Sequence, residues 1–373
     1  MKKKILFTAS IAKHILRFHL PYLEWFQQQG YETHVACQGD EKIPFTDHQW
    51  KVPFIRNPFS AGHIKAYKEL KNIIDTNNYS LIHCHTPMAS IVTRLAAASS
   101  RKKGTKVLYT AHGFHFYDGA STINWLTYYP IELRASGWAD AIITINNEDY
   151  NRIKTKGSSK TDYYIIPGIG VNGKRFSPVS QEQKLALRSA KGFSQKDFIA
   201  VYAAEFIDRK NHRFLIEALP EIVKAAPTTK ILLCGRGELK EEMEELVKKK
   251  GLEGNVEFLG FRNDIDEIFN MSDVGISSSK QEGLPINLVE EMMCGLPVIA
   301  PVDRGHKEII MHGENGFIFQ QDDKNGFREY FLKLYNDEQM RLKFGVRSIE
   351  IAANFEIKNS LGVMSKIYKN YLS

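Results

Sequence analysis

Short apolar runs alternate with longer amphipathic stretches through the first half of the chain. The apolar runs predict strands at residues 5–9, 32–37, 80–84, 106–110, 139–145 and 163–166. The amphipathic stretches predict helices at about 15–29, 66–77, 88–99 and 146–157, the last of them capped by Asn146. Strands that alternate with helices form parallel sheets covered on both faces, so the pattern predicts one such sheet here.

The same alternation starts again at residue 198. It predicts strands at residues 198–203, 230–233, 256–259, 274–276 and 298–300, with helices between them. The span 167–171 is rich in proline and glycine and breaks the pattern, which places the linker at about 168–178. We therefore predict two domains, residues 1–170 and 171–355, and expect the C-terminal segment 356–373 to pack back on the first domain as a helix.

The amino-acid composition excludes few classes of protein. The 373 residues are 43% hydrophobic and 25% charged, which is ordinary for a globular protein of two domains. No apolar run approaches the roughly 20 residues that span a bilayer. Lys13 and Arg17 follow the first apolar run too soon for a secretory signal. The four cysteines lie in apolar segments without metal-ligand spacing, which favours reduced core thiols in a cytoplasmic protein.

Charge and aromatic content each leave alternatives open. The formal net charge of +7 suits a nucleic acid, a phosphorylated substrate or an anionic membrane surface, without choosing between them. Residues 114–130 are dense in aromatic side chains, which fits either core packing or a surface that lies at the depth of lipid headgroups. For such a surface, the positive rim is expected from Lys13, Arg17, Lys65 and Lys68.

Residues 277–300 carry the clearest candidate chemistry. A buried strand leads into Glu282 and Gly283, and a helix and a further strand follow. The N-terminus of a helix presents N–H groups that can hold a phosphate or a hydroxyl group. Glu282 can accept hydrogen bonds from sugar hydroxyls there, and Glu290, about two turns further on, can reach a ribose diol. A capped helix with two solvated carboxylates would give the same pattern.

Loops that follow predicted strands supply further candidates, because ligands bind beyond the carboxyl ends of parallel strands. In the first half these loops are residues 10–14, 85–87 and 111–116. His112 directly follows a strand and precedes a glycine, so we expect its ring to face a ligand; a structural role is the competing interpretation. His85 is the weaker candidate of the two.

The second half offers two basic or glycine-rich loops. Arg209 and Lys210 lie between a strand and a helix start, where basic side chains can neutralise a diphosphate. Gly235 begins the sequence Gly235-Arg236-Gly237, which fits a short phosphate loop or a plain tight turn equally well.

Several of these motifs together resemble the signature of the family 4 retaining glycosyltransferases. The strongest are Glu282-Gly283-Leu284-Pro285 with Glu290, Gly295-Leu296-Pro297, Lys210, His112-Gly113 and Gly313-Glu314-Asn315-Gly316. The resemblance covers essentially the whole chain. It implies the GT-B fold, an α/β architecture of two doubly wound Rossmann-like domains facing a central cleft. It also implies that the first domain binds an acceptor and the second a nucleotide sugar.

The resemblance assigns roles to individual positions. It implies that Lys210 neutralises the diphosphate, that Glu290 binds the ribose and that Glu282 holds the sugar. The nucleotide-sugar site is expected to contain Arg209, Lys210, Gly235, Phe261, Arg262, Glu282, Gly283, Leu284, Pro285 and Glu290. The candidate acceptor-binding residues are Lys13, His14, His85 and His115, and the candidate catalytic residues are His112, Lys210 and Glu282.

Two departures from the family pattern are informative. The loop after the first strand, residues 9–14, is not glycine-rich, and Ala204-Glu205 stands where the family commonly has an arginine. Arg209 is the candidate replacement for that arginine. Both departures resemble a branch of the family found in bacterial capsule and exopolysaccharide synthesis. That branch tends to use UDP-sugars, often N-acetylhexosamines, and polyprenyl-diphosphate-linked acceptors.

We therefore expect a retaining transferase that moves a hexose or N-acetylhexosamine from a UDP-sugar to a lipid-linked sugar. The expected location is the inner face of the cell membrane, with other polysaccharide-assembly proteins as candidate partners and with no metal or other cofactor. One alternative is an epimerase of the same fold that acts on UDP-N-acetylglucosamine. Another is a non-catalytic basic binding protein. No basic helix, zinc spacing or stacking platform in the sequence supports a nucleic-acid partner.

Overall fold

The computed structural model describes residues 2–55, 57 and 60–372. The chain forms two compact units. Unit 1 contains Met1–Gly170 together with Ile357–Ser373, and unit 2 contains Val171–Glu356. The two changes of unit therefore fall between Gly170 and Val171 and between Glu356 and Ile357.

Unit 1 contains a parallel sheet of seven strands with the order β3-β2-β1-β4-β5-β6-β7. The strands are β1 (Lys4–Ile11), β2 (Glu32–Gln38), β3 (His48–Lys51), β4 (Leu81–His85), β5 (Lys106–Ala111), β6 (Ala141–Thr144) and β7 (Asp162–Ile165). The helices are α1 (Ala12–Phe18), α2 (Leu20–Gln28), α3 (His63–Asn77), α4 (Pro87–Ala96), α5 (Ala98–Arg101), α6 (Thr122–Ser136) and α7 (Asn147–Lys156). Apolar side chains of β1, β4 and β5 pack against α3 and α4 to form one core.

Unit 2 repeats this architecture with a parallel sheet of six strands in the order β10-β9-β8-β11-β12-β13. The strands are β8 (Phe198–Ala203), β9 (Thr229–Cys234), β10 (Val256–Gly260), β11 (Val274–Ile276), β12 (Val298–Pro301) and β13 (Gly316–Phe319). The helices are α8 (Gln181–Ala190), α9 (His212–Ala225), α10 (Lys240–Lys249), α11 (Ile265–Met271), α12 (Ile286–Met293), α13 (His306–Ile309), α14 (Lys324–Asn336) and α15 (Glu338–Ala352). Its apolar residues form a second core.

The C-terminal helix, Ile357–Leu372, packs within unit 1. Its fully buried Tyr368 lies against Phe26, with ring centroids 4.6 Å apart, and its hydroxyl hydrogen-bonds Nδ1 of His83 at 2.8 Å. The Nζ of Lys3 also donates to the carbonyl oxygen of Leu372 at 3.0 Å. These contacts fix both ends of the chain on the same unit.

Several elements differ from the sequence-based expectations. The single helix predicted at 15–29 is two helices, because Pro21 at the start of α2 has no N–H to donate to the preceding turn. The helix predicted at 88–99 also divides, at Ala97. Helices α6 and α8 and the edge strand β3 were not predicted. The aromatic content and the internal Pro130 obscure the helical pattern of α6, whereas α8 carries a capping box at Ser180.

Candidate active site

Glu282 lies at the centre of a charged cluster in unit 2. Its side chain is buried, and it lies in the loop between β11 and α12. The Nζ of Lys210 lies 2.5 Å from Oε1 of Glu282, and Nη1 of Arg209 lies 3.1 Å from Oε2. The structure therefore brings together three residues that the sequence nominated from motifs about 70 positions apart.

Sheet topology explains this meeting. Strands β8 and β11 are neighbours in the sheet, and the loops after both emerge at the same edge. Hydrogen bonds then tie the two loops together. The hydroxyl of Ser278 donates to the carbonyl oxygen of Lys210 at 3.0 Å, and the backbone N–H of Lys280 donates to that of Arg209 at 2.9 Å. The hydroxyl of Tyr202, within β8, donates to the Lys210 carbonyl as well, at 2.8 Å.

The loop after β12 also holds the backbone of Glu282 in place, and its residues were not predicted from the sequence. Oδ1 of Asp303 accepts hydrogen bonds from the backbone N–H groups of Glu282, at 3.0 Å, and of Gly305, at 2.8 Å. The Nε of Arg304 donates to the carbonyl oxygen of Glu282 at 3.2 Å. Only their position in the sequence could have indicated Asp303 and Arg304, because they follow β12, which is the neighbour of β11 in the sheet.

Electrostatics keep Glu282 ionised. Burial by itself would raise the pKa of Glu282, but the positive charges of Lys210 and Arg209 outweigh it and lower the pKa to about 2. Burial raises the pKa of Asp303 to about 6 and lowers the pKa of His306 to about 4. At neutral pH, the cluster therefore holds a carboxylate that can accept hydrogen bonds, beside two cations.

Helix α12 starts directly after Gly283, Leu284 and Pro285, which are all buried. Pro285 occupies the N-cap position and gives no side-chain cap to the first-turn N–H groups. Glu290 is half-buried on this helix, whereas its neighbour Glu291 is fully buried. Burial, and then the charge of Glu290, hold the pKa of Glu291 well above its ordinary value. The sequence pattern did not single out Glu291.

Gly235, Arg262 and Phe261 were also predicted for the nucleotide-sugar site. A Cβ atom at Gly235 would lie 1.9 Å from the carbonyl oxygen of Ala204, so glycine is required there for backbone packing. Arg262 forms a two-pronged ion pair with Asp264, with N···O distances of 2.7 and 2.5 Å. Phe261 is 60% exposed.

An Asp-x-Asp sequence, a spacing that can hold a metal ion, occurs at Asp264 and Asp266. Besides its pair with Arg262, Asp264 accepts from Nζ of Lys191 at 2.8 Å. Asp266 accepts from Nη2 of Arg175 at 2.9 Å. Both carboxylates therefore have cationic partners in the structure.

Histidines gather at the carboxyl edge of the sheet in unit 1. His112 follows β5, His85 ends β4 and His14 lies in α1; Nε2 of His112 lies 3.4 Å from Nδ1 of His85. The rings of His14 and His112 have centroids 4.8 Å apart. His19, between α1 and α2, stacks on His85 at 3.7 Å and was missed by sequence reasoning. Burial and the neighbouring imidazoles hold the pKa of His112, His85 and His19 well below 6.5.

A cavity of about 300 Å³ opens beside this cluster. Its lining includes Ser10, Ile11, His14, Thr86, Pro87, Met88, His115 and Tyr128. His115 stacks on Tyr128 with ring centroids 4.5 Å apart, and Lys13 is exposed. Of the four predicted acceptor residues, His14 and His115 therefore line a cavity and His85 lies in the histidine cluster.

The aromatic segment divides between core and surface. Phe114 and Phe116 are buried and stack on each other at 4.7 Å. On the following helix α6, Ile123 and Leu126 are 68% and 72% exposed. Among the described residues, no helix has both the length and the apolar character that crossing a bilayer requires.

Comparisons with known proteins agree with this architecture. The sequence model of the family described as Glycosyl transferases group 1 matches residues 183–350, and that of Glycosyltransferase Family 4 matches residues 22–169. EpsD from Bacillus subtilis, which bears the name of a glycosyltransferase, is 42% identical over 372 residues, 100% of this chain and 98% of EpsD. The UDP-Gal:alpha-D-GlcNAc-diphosphoundecaprenol alpha-1,3-galactosyltransferase of Escherichia coli is 24% identical over 366 residues, 95% of this chain and 93% of that protein.

Solved structures show the same fold. The crystal structure of Anabaena HepE in complex with UDP-glucose superposes with a TM-score of 0.79 at 20% identity, over 98% of this chain and 99% of HepE. Two parallel sheets, together with this likeness, show that the chain has the GT-B fold. The chain belongs to glycosyltransferase family 4.

Proposed function

We propose that this enzyme transfers a hexose or N-acetylhexosamine, with retention, from a UDP-sugar to a polyprenyl-diphosphate-linked sugar during capsule or exopolysaccharide synthesis. The observation that carries the proposal is the pairing of Arg209 and Lys210 with the buried Glu282 at the start of α12. Two cations, first-turn N–H groups and a carboxylate that is ionised at neutral pH form a set of groups that suits a sugar diphosphate.

In this proposal, each group of the cluster has a separate task. Lys210 and Arg209 neutralise the diphosphate, and their charge stabilises the departing UDP. Glu282 and the backbone of residues 283–285 hold the sugar hydroxyls. Glu290 binds the ribose diol. Phe261 and Arg262 are the candidates for contact with the base, and because Arg262 is paired with Asp264, the exposed Phe261 is the stronger of the two.

The proposed chemistry needs no protein nucleophile. The bond between the anomeric carbon and the UDP oxygen breaks through an oxocarbenium-like state. The acceptor hydroxyl attacks that carbon from the same face, and its proton passes to the leaving phosphate oxygen. The products are UDP and the extended lipid-linked sugar. The proposal assigns no step of transfer to a metal ion.

Acceptor binding is proposed for unit 1. His14 and His115 line the cavity near α1, and the ring of His112 lies beside that of His14. Their imidazoles can hydrogen-bond sugar hydroxyls. The names of two similar proteins support the substrate classes. The E. coli relative acts on a GlcNAc-diphosphoundecaprenol, and HepE was crystallised with UDP-glucose.

A lipid-linked acceptor implies work at a membrane, and we propose a peripheral position at its inner face. Ile123 and Leu126 of α6 are the exposed apolar residues that favour this position, and Lys13 and Arg17 are exposed cations of the same unit. Binding of the purified chain to anionic vesicles tests this part of the proposal.

The proposal is tested by a screen of UDP-sugars against the purified full chain. A donor that binds the native state raises the midpoint of thermal unfolding. Each stabilising donor is then incubated with and without a polyprenyl-diphosphate-linked GlcNAc, and the products are separated. We expect a new glycolipid only when both substrates are present. A donor converted to its epimer in the absence of acceptor would instead support the epimerase.

A further inference from the structure

Three histidines of unit 1 have ring nitrogen atoms close to one another. They are His14 of α1, His19 between α1 and α2, and His112 after β5. We propose that these three imidazoles bind one divalent transition-metal ion of the zinc, cobalt or nickel class. This inference does not depend on the proposed transfer reaction, and the ion is assigned no step in it.

The first support is distance. One potential ligand atom from each of the three rings lies within 4.8 Å of the other two. Zinc–nitrogen bonds of about 2.0–2.1 Å in tetrahedral geometry place neighbouring nitrogen atoms about 3.3 Å apart. Shifts of about an ångström, which side-chain rotation can supply, therefore complete the site. His14 and His112 are half-buried, so an ion can reach them.

The second support is a buried polar atom without a hydrogen bond. His19 is 2% exposed, and within the described ranges its Nε2 has no hydrogen-bond partner. Buried polar atoms of this kind usually have a water molecule or an ion beside them. His85 lies 3.4 Å from Nε2 of His112 and stacks on His19. It therefore holds two of the proposed ligands in place, as outer-sphere residues do in metal sites.

The ligand set selects the class of ion. Imidazole nitrogen suits zinc, cobalt, nickel and copper, whereas magnesium and calcium require oxygen ligands. The three proposed ligands include no carboxylate. Three protein ligands leave a coordination position for water or for an oxygen atom of a molecule in the cavity that His14 lines.

The test is a titration of tag-free, metal-stripped full-length protein with Co²⁺, followed by visible absorption and by competition with Zn²⁺ and Mg²⁺. We expect one Co²⁺ per chain, displaced by Zn²⁺ and not by Mg²⁺. The variants His14→Ala and His112→Ala should each bind at least tenfold more weakly. The control is His48→Ala, which removes an exposed histidine of the same unit and should bind as the wild type does.

Circular dichroism of each variant establishes that it is folded. If His112→Ala does not fold, the Co²⁺ affinities of His14→Ala and His48→Ala decide the question. His14 lines a cavity, so we expect its replacement by alanine to leave the protein folded. No Co²⁺ binding by the folded wild type would overturn the proposal. Equal affinity in His14→Ala and the wild type would overturn it as well, since the bound ion would then lie elsewhere.

Discussion

Lys210 and Glu282 are 72 positions apart in the sequence, yet Nζ of the one lies 2.5 Å from Oε1 of the other. The opposite charges of the two side chains neutralise each other. Lys210 lowers the pKa of Glu282 although the burial of Glu282 would raise it. A lysine held in this way is oriented before a substrate arrives.

Replacing Lys210 by alanine removes a cation proposed to neutralise the donor diphosphate. We expect transfer to fall at least tenfold, which corresponds to about 1.4 kcal/mol or more in the barrier. Initial rates with the preferred UDP-sugar measure the effect. Lys280→Ala is the matched control, because Lys280 is exposed and its Nζ pairs with Asp208 at 2.9 Å. Equal losses in both variants would argue against a specific diphosphate role.

The stabilising effect of Glu282 should depend on pH in a defined window. Its pKa is lowered in the folded state, so its ionised form stabilises the protein above the ordinary pKa of about 4.5. This stabilisation is lost as the pH falls from about 4.5 toward 2. Urea unfolding of the wild type and Glu282→Gln should show a free-energy difference that is constant above pH 5 and shrinks below it. A difference that grows on acidification would contradict the assignment.

Glu290 and Glu291 are neighbours in the sequence, but we expect substitution of Glu290 to change donor binding and substitution of Glu291 to change stability. Glu290→Gln should raise KM for the UDP-sugar several-fold, because it weakens the proposed contact with the ribose. Glu291 has a raised pKa in the folded state, so ionising it costs stability as the pH rises above about 4.5. Glu291→Gln should therefore gain stability relative to the wild type between pH 5 and pH 8. Kinetics and urea unfolding of both variants separate the two roles.

Gly235 is expected to matter for packing. The Cβ atom of Gly235→Ala would meet the Ala204 carbonyl oxygen at 1.9 Å, so we expect a loss of about 1–3 kcal/mol of unfolding free energy. Gly254→Ala is the control, because a Cβ atom there has nothing within 4 Å. Thermal unfolding measures both variants. A Gly235→Ala protein of normal stability and impaired donor binding would instead support the phosphate-loop interpretation.

The proposed contact with the membrane is tested by replacing exposed apolar side chains of α6. The double change Ile123→Asp and Leu126→Asp should lower binding to anionic vesicles at least fivefold, since it places two charges on the proposed contact face. Co-sedimentation with vesicles gives the bound fraction. Leu342→Asp, at a residue of unit 2 that is 58% exposed, should leave binding unchanged. Undiminished binding by the α6 variant would place the membrane contact elsewhere.

The alternation of apolar and amphipathic segments was enough to predict two parallel sheets. The strands at 198–203 and 274–276 were predicted with the bounds that the structure shows. The resemblance to family 4 glycosyltransferases assigned Lys210 and Glu282 to one site, and in the structure their side chains are in contact. Local chemistry obscured other elements. Pro21 divides one predicted helix, and aromatic residues conceal the periodicity of α6.

Residues that act through the backbone or through burial could not be predicted in the same way. Asp303 supports Glu282 by accepting its backbone N–H, and no side-chain motif reports such a contact. Glu291 is fully buried, and nothing in the sequence pattern distinguished it from its half-buried neighbour Glu290. His19 required knowledge of the break between α1 and α2, which turns its ring toward His85.

A crystal structure of the protein with UDP tests the central claim most directly. We predict that the diphosphate lies on unit 2, with an oxygen within hydrogen-bonding distance of Lys210 Nζ and the ribose hydroxyls on Glu290. A nucleotide bound to unit 1, or bound to unit 2 without contact to Lys210 and Arg209, would contradict the account.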